Sequence, residues 1–433
     1  MALVALAVTS LAACDFLEQE PQAALSNDVI FTSAQGVEAA IAGAYNRTQG
    51  PMDDHVIFSD LAADFAEHTG SFPSWNEVDT HNIPTNNVEA SGQYTGWYAL
   101  VNQANLLIDN LTEDRLGGIE GLDPARAREI VGEAYFFRAF AHHNLTKWFG
   151  GIPLVLSSEI DPANANIARS SVDQVYDQIL SDLSEAASRV ADERPVGFVD
   201  ADVVQALRAR VLLFDGQYDA AAAAAAPLAA AYPLVSLDAL YGSLNSSESI
   251  WELQYTILDS NSMAFFAFVT GGRFEYGPTA EADAFYEAND GRREYVFAQD
   301  GNETVIGKYF RPSTGDDHHF VLRGAEMVLI QAEAAARRND VAQAVALVNV
   351  IRARAGASAI SASTIGSGTA ALDLVLAERA RELAYEGHRW HDLVRTNRAV
   401  STLADLTVQN FTLWPIPQRE IDTNDLLTQN PGY

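Results

Sequence analysis

Apolar residues recur every three or four positions along most of the chain from about Ser33 onward, with little strict alternation. That spacing predicts a mainly α-helical fold. Asp123-Pro124 reads as an N-cap followed by proline at the first helical position. Ile130, Ala134, Phe137, Ala141, Leu145 and Trp148 then share one face until Gly150-Gly151 stops the helix. Ser171 and Gln174 form a capping box ahead of Val175, Ile179, Leu183 and Ala187. Two helical hairpins follow: residues 200–214 turn at Asp215-Gly216 into 218–232, and residues 324–338 turn at Asn339-Asp340 into 341–354. Pro227, behind the alanine run 220–226, is expected to kink or end its helix.

Both hairpins resemble tetratricopeptide repeats, with Ala206, Ala209 and Leu213 on one face and Gly216, Tyr218 and Ala220 at and after the turn. Such hairpins bury a face only by stacking on neighbours, so the expected architecture is an α-solenoid scaffold. Three polar, aromatic, Gly/Pro-punctuated connections interrupt it, at about 67–96, 238–277 and 289–319. Connections of that length carry function or short strands of their own. Residues 249–255 largely alternate apolar and polar side chains and read as a strand, so minor β content is expected. Near the C-terminus, Leu372, Leu376, Ala380, Leu383, Gly387, Trp390 and Val394 fall on one helical stripe. Glu378/Arg381, Glu386/Arg389 and Asp392/Arg395 are acid-then-Arg pairs at i, i+3, so the block reads as scaffold.

The chain has 433 residues and a formal net charge of -31, from 27 Lys plus Arg against 58 Asp plus Glu. A surface so acidic repels polyanions, which argues against nucleic acid as a partner. The single cysteine excludes intrachain disulfides, Cys-rich zinc sites and iron–sulfur clusters. Its place is informative: Leu11-Ala12-Ala13-Cys14 closes an apolar stretch of signal-peptide length and resembles a bacterial lipobox. In that reading residues 1–13 are a signal peptide, truncated at its start because no basic residue precedes the apolar stretch. Cys14 carries the lipid anchor, and residues 14–32 form an acidic tether. The alternative is an apolar N-terminal helix with a buried cysteine.

His388 and His391, His142-His143 and His318-His319 lack metal-site spacing, so no metal or other cofactor is expected. No nucleophile elbow, P-loop or dinucleotide motif appears, and the enzyme reading has no motif to stand on. Sugar binding needs an aromatic face for the ring and amides or carboxylates for its hydroxyls, and the polar connections contain both. Trp75, Asn76, Tyr94, Trp97, Tyr276 and Tyr309 are the candidate ligand residues, with Phe72, Phe310, Asp316 and Asp317 beside them. Trp75 lies in a stretch, 71–84, without helical or strand periodicity, so its indole is expected to be exposed. The competing reading makes these rings staples between loop and scaffold.

Four stretches taken together resemble the SusD/RagB family of surface nutrient-binding lipoproteins. They are Cys14-Asp15-Phe16-Leu17-Glu18 with Pro21; residues 132–139 running on to Trp148-Phe149-Gly150-Gly151-Ile152-Pro153; residues 323–334 with Asn349 and 352–356; and Glu378-Arg379 through Arg389-Trp390, Asp392-Leu393 and Trp414-Pro415-Ile416-Pro417 to the terminal Asn430-Pro431-Gly432-Tyr433. His391 stands where the family more often has an aromatic, a tolerated packing change; Tyr98, with Val101 and Asn105, matches a family helix and reads as core. The resemblance implies a helical N-terminal region over 33–235, a C-terminal region with loops and tetratricopeptide-like helices over 236–433, and a loop-rich ligand face. It further implies a non-enzymatic, lipid-anchored protein of the outer-membrane surface that binds glycans and passes them to a SusC-like TonB-dependent transporter. Peptide binding, as in some relatives, and a surface glycoside hydrolase are the alternatives.

Overall fold

The computed structural model describes residues 27–159 and 166–433. The lipobox, Cys14 and most of the expected tether lie outside the described residues. The fold is mainly α-helical, as the periodicity predicts.

Each long helix packs against the next one in the chain. The run goes Ala34–Leu61, Val88–Asn110, Pro124–Phe149, Val172–Ala187, Ala201–Phe214 and Tyr218–Ala231. After an insertion it resumes with Gly324–Arg337, which packs on Tyr218–Ala231, then Val341–Arg354 and Gly368–Glu382. This succession is the solenoid the hairpins lead one to expect. The predicted caps are present: the Asp123 side chain accepts from the Ala125 amide, Ser171 and Gln174 close a capping box, and Gly150 caps its helix at a φ of 71°. Pro227 corrects an expectation, because the helix runs through it to Ala231. It is solvent-exposed and less than a turn and a half from the helix end, so the carbonyl it leaves unpaired is free to meet water.

The insertion between residues 232 and 323 carries most of the strand content. β1 (Ala66–His68) pairs with β3 (Tyr276–Pro278), β2 (Ser249–Leu253) with β6 (His319–Arg323), and β4 (Phe297–Asp300) with β5 (Glu303–Ile306), all antiparallel. The three polar connections are therefore structured. The first holds β1 and the short helix Pro73–Asp79; the second holds β2, Met263–Ala267 and β3; the third holds β4, β5 and the start of β6.

The C-terminal block departs from a single stripe. Its helix stops at Glu382, and a turn with Tyr385 and Gly387 at φ 57° and 79° precedes a second helix, Arg389–Arg395. A Cβ on Gly387 would lie 2.9 Å from the His55 ring, so the close approach and the positive φ both demand glycine. Glu378/Arg381 and Asp392/Arg395 pair as expected, at 3.3 and 2.7 Å. Glu386 and Arg389 do not pair: Arg389 grips Asp64 at 2.7 and 2.6 Å, while Glu386 accepts from Arg323 and Lys308. Trp390 is fully buried, and His391 stacks on His55 with ring centroids 4.8 Å apart.

Glu333 joins this block to the repeat helices, accepting from Arg395 at 2.7 Å on both oxygens and from Arg337 at 2.7 Å. Burial pushes its carboxyl up, but the Arg395, Arg379 and Arg337 guanidinium groups outweigh that and hold it at about 2. A carboxyl depressed in the folded state stabilises the fold fully above its unfolded value, and that contribution is lost as pH falls from about 4.5 towards 2. Glu333→Gln is thus expected to cost on the order of 3 kcal/mol at pH 7 and to flatten the pH dependence of urea unfolding in that acid window. An unchanged acid slope would show that the Arg cluster does not depress Glu333.

Candidate functional site

The three polar connections converge on one cleft of 700 Å³. The first supplies Glu67 and Thr69, the second Phe274 and Gly277, and the third Glu294, Phe297, Gln299, Glu303 and Thr304. Strand alternation explains the arrangement. In β1, Ala66 is buried and Glu67 exposed; in β3, Tyr276 points into the core and Gly277 lines the cleft, directly across from Glu67 in the pairing register. In the β4–β5 hairpin Gln299 faces Thr304, their side chains joined at 2.8 Å.

Phe274 is the aromatic element of the wall. Its backbone is left-handed, with φ 51°, an outlier for a bulky side chain and a conformation that surroundings must enforce. Thr69 enforces it by donating its hydroxyl to the Phe274 carbonyl at 2.8 Å, and the Thr69 amide donates to the Glu275 carbonyl at 3.0 Å. The ring then lies over Gly277, where a Cβ would meet it at 3.1 Å and Thr69 at 3.3 Å. Buried Glu275 clamps the facing loop, accepting from the Ser71 and Phe72 amides at 2.7 and 3.2 Å and from Arg273 at 2.5 Å. Arg273 also covers the Phe72 ring at 4.1 Å. Asp300, held below the usual carboxylate range by hydrogen bonds from Thr270 and the Val269 amide, ties the 269–270 loop to the hairpin.

The cleft is acidic. Glu67, Asp283, Glu294 and Glu303 line it against Arg293, which Asp283 already engages at 2.6 and 2.8 Å. Exposed carboxylates and amides beside an aromatic ring suit a hydroxyl-rich ligand. Among the described residues no group of His, Cys, Asp and Glu side chains is placed to hold a metal ion, and no helix is long and apolar enough to cross a membrane.

The candidate aromatics named from sequence sit elsewhere. Trp75 is not an exposed loop residue: Pro73 starts a short helix, and Trp75 and Val78, three apart, both bury. Its indole packs on Phe58, Phe72, Phe266 and Tyr276 with centroids 5.1–6.0 Å away. Trp97 is fully buried and donates to Gln93 at 3.0 Å. Tyr276 and Tyr309 are each 1% exposed, and the Tyr309 hydroxyl donates to the Tyr385 carbonyl at 3.2 Å. Tyr94 is buried beside Tyr98 and lines a separate cavity of 360 Å³ with Pro153, Glu420 and Leu427. Asn76 is exposed on the Pro73–Asp79 helix. Phe274 and Phe297, which sequence reasoning did not single out, are the rings that reach the cleft. The signal for Phe274 lay in the Phe-x-Tyr-Gly spacing, which puts Tyr276 inward and leaves an empty glycine for the neighbouring ring.

Trp75 thus supports the cleft from behind. Trp75→Ala is expected to destabilise by about 3–5 kcal/mol, as truncation of a buried tryptophan does. Equilibrium unfolding in urea checks this, and an unchanged midpoint would show that the site collapses without cost.

Two sequence-family profiles match the chain: one described as "Starch-binding associating with outer membrane" over residues 15–212, and one described as "SusD family" over residues 304–433. The SusD-like protein P38 of Formosa agariphila is 26% identical over 100% of this chain and 98% of its own length. A solved laminarin-binding SusD-like protein superposes with a TM-score of 0.81 at 22% identity, covering 93% of this chain and 100% of its own. Surface glycan-binding protein A of Bacteroides thetaiotaomicron, solved with laminarihexaose, gives 0.77 at 19% identity over 92% of this chain and 100% of its own. The repeat-helix scaffold, the motifs spread from the N-terminal segment to the C-terminus and these matches agree: the chain belongs to the SusD/RagB family.

Proposed function

We propose that this protein is a non-enzymatic, outer-membrane surface protein that captures glycans in the cleft around Phe274 and Glu67 and delivers them to a SusC-like TonB-dependent transporter. The carrying observation is the convergence of three separate connections on one cleft in which an aromatic ring, amides and carboxylates are held by a stiff backbone. A pyranose stacks its C–H face on the ring while its hydroxyls bond the polar rim. Relatives named for laminarin and laminarihexaose support the ligand class, and the family description supports the outer-membrane setting. No described helix crosses a bilayer, so a lipid on Cys14 supplies the anchor in this reading and a partner supplies the pore.

Stacking on one ring is worth about 1–3 kcal/mol by analogy with nucleic-acid bases. Phe274→Ala should therefore weaken glycan binding roughly ten- to a hundredfold in calorimetric titration at an unchanged melting temperature. Unchanged affinity would move the ligand out of this cleft. Reducing-end release measured on the same glycans would favour the hydrolase reading, and retention of basic peptides alone would favour the peptide reading.

Cys14→Ser should release the protein from the outer-membrane fraction of cells that lack the transporter, while the unaltered protein copurifies with a large β-barrel when the transporter is present. Retention of the serine variant would place the anchor elsewhere.

A further inference from the structure

We infer that the cleft selects glycans that carry no carboxylate or sulfate groups, a conclusion that rests on the glycan-binding reading above and narrows it to a substrate class. Glu67 stands across the β1–β3 pairing from Gly277, the glycine beneath the Phe274 ring, so a sugar stacked on that ring meets this carboxylate first. Glu294 and Glu303 project from the opposite wall, and all three are exposed.

The cations that would offset them are already engaged. Arg293, in the cleft wall, is held by both oxygens of Asp283 at 2.6 and 2.8 Å. Arg273, on the adjoining loop, is bonded to Glu275 at 2.5 Å and covers the Phe72 ring. An incoming uronate or sulfate would have to displace one of these pairs to find a counter-charge.

Dimensions decide whether the repulsion is felt. A sphere of 700 Å³ is about 11 Å across, comparable with the ~8–10 Å over which charges act at 0.1–0.15 M salt, and three carboxylates line the cleft, so an acidic substituent seated in it lies within range of at least one of them. The same carboxylates accept strong, charge-assisted hydrogen bonds from neutral vicinal hydroxyls or from a sugar amine. One set of groups thus both binds the permitted class and rejects the other.

The experiment titrates the protein with neutral hexasaccharides (β-1,3-glucan, β-1,4-mannan and α-1,4-glucan), a chitosan hexamer and acidic hexamers (galacturonate, mannuronate and a sulfated galactan), at 20 mM and 500 mM salt. Binding is expected to be confined to the neutral and amine-bearing sugars, with acidic hexamers at least tenfold weaker at low salt. The exposed-residue variant Glu67→Gln/Glu294→Gln/Glu303→Gln should gain at least tenfold for an acidic hexamer at an unchanged melting temperature. An acidic hexamer bound by the unaltered protein as tightly as any neutral one overturns this inference and leaves the glycan reading standing. A triple variant that still rejects acidic hexamers shows that these carboxylates are not the cause, and retention of none of the sugars overturns the glycan reading itself.

Discussion

A buried network of ion pairs centred on Arg323 holds the scaffold and the cleft-bearing insertion as one body. Arg323, at the junction of β6 and the helix that follows, donates to Glu248 at 2.9 Å, to Glu382 at 2.5 Å and to Glu386 at 2.9 Å. Arg354 bonds the same Glu248 and Glu382, and Arg292 bonds Asp290, Glu378 and Glu382. Burial pushes the Glu382 carboxyl up, but the Arg354, Arg323 and Arg292 guanidinium groups prevail and keep it well below the usual range. The members come from distant stretches: the approach to β2, the 290–292 turn, β6, and helices 341–354 and 368–382. A lone buried charge costs several kcal/mol, so each stretch has one low-energy seat, the one that completes the network.

The cleft inherits its order from that seat. Lys308, just past β5, donates to the Glu386 carboxylate and to the Ala384 carbonyl, both at 2.6 Å, and Asp290 with Arg292 fixes the start of the segment that carries β4 and β5. The hairpin that forms one wall is therefore pinned at both ends to the C-terminal block. The other wall hangs on the first connection, which Arg389 reaches through Asp64 and Tyr385 reaches by donating to the Phe65 carbonyl at 2.8 Å. Residues that read as a scaffold motif in sequence thus set the distance between the walls of a site they do not touch. The strained backbone of Phe274 is tolerable only on such a base, because a loop free to relax would leave the left-handed region.

What the sequence disclosed and what it hid follow from range. Caps, hairpins and repeat helices depend on residues within a turn or two of each other, so Asp123, Ser171, Gly150 and the 201–231 hairpin were legible. The ion pairs were legible only where they were local: Glu378/Arg381 and Asp392/Arg395 form at i, i+3, whereas Glu386 and Arg389 find partners 63 and 325 residues away. The polar connections that line the candidate cleft stood out by their composition. Its rings were not, because whether Trp75 or Phe274 faces solvent depends on what the third dimension brings to each. Phe58, Phe266 and Tyr276 cover the first, and Gly277 leaves room over itself for the second. In sequence, large aromatics in a polar stretch suit a ligand platform and a packing staple equally, and most of these are the packing that lets a short connection hold its shape.

The acidity of the surface is linked to the interior. Of 27 basic residues, Arg138, Arg210, Arg292, Arg323, Arg352, Arg379, Arg389 and Lys308 are buried against carboxylates or carbonyls, and Arg395 is half-buried against Glu333 and Asp392. Every buried pair removes one charge of each sign, so pairing leaves the excess of 58 acids over 27 bases untouched while withdrawing cations from the outside. The excess must then appear at the surface, and the cleft, being surface, takes its share as Glu67, Glu294 and Glu303. A scaffold that uses its arginines to lock distant segments together has few left to receive an anion, and the charge of the cleft follows from how the core is held.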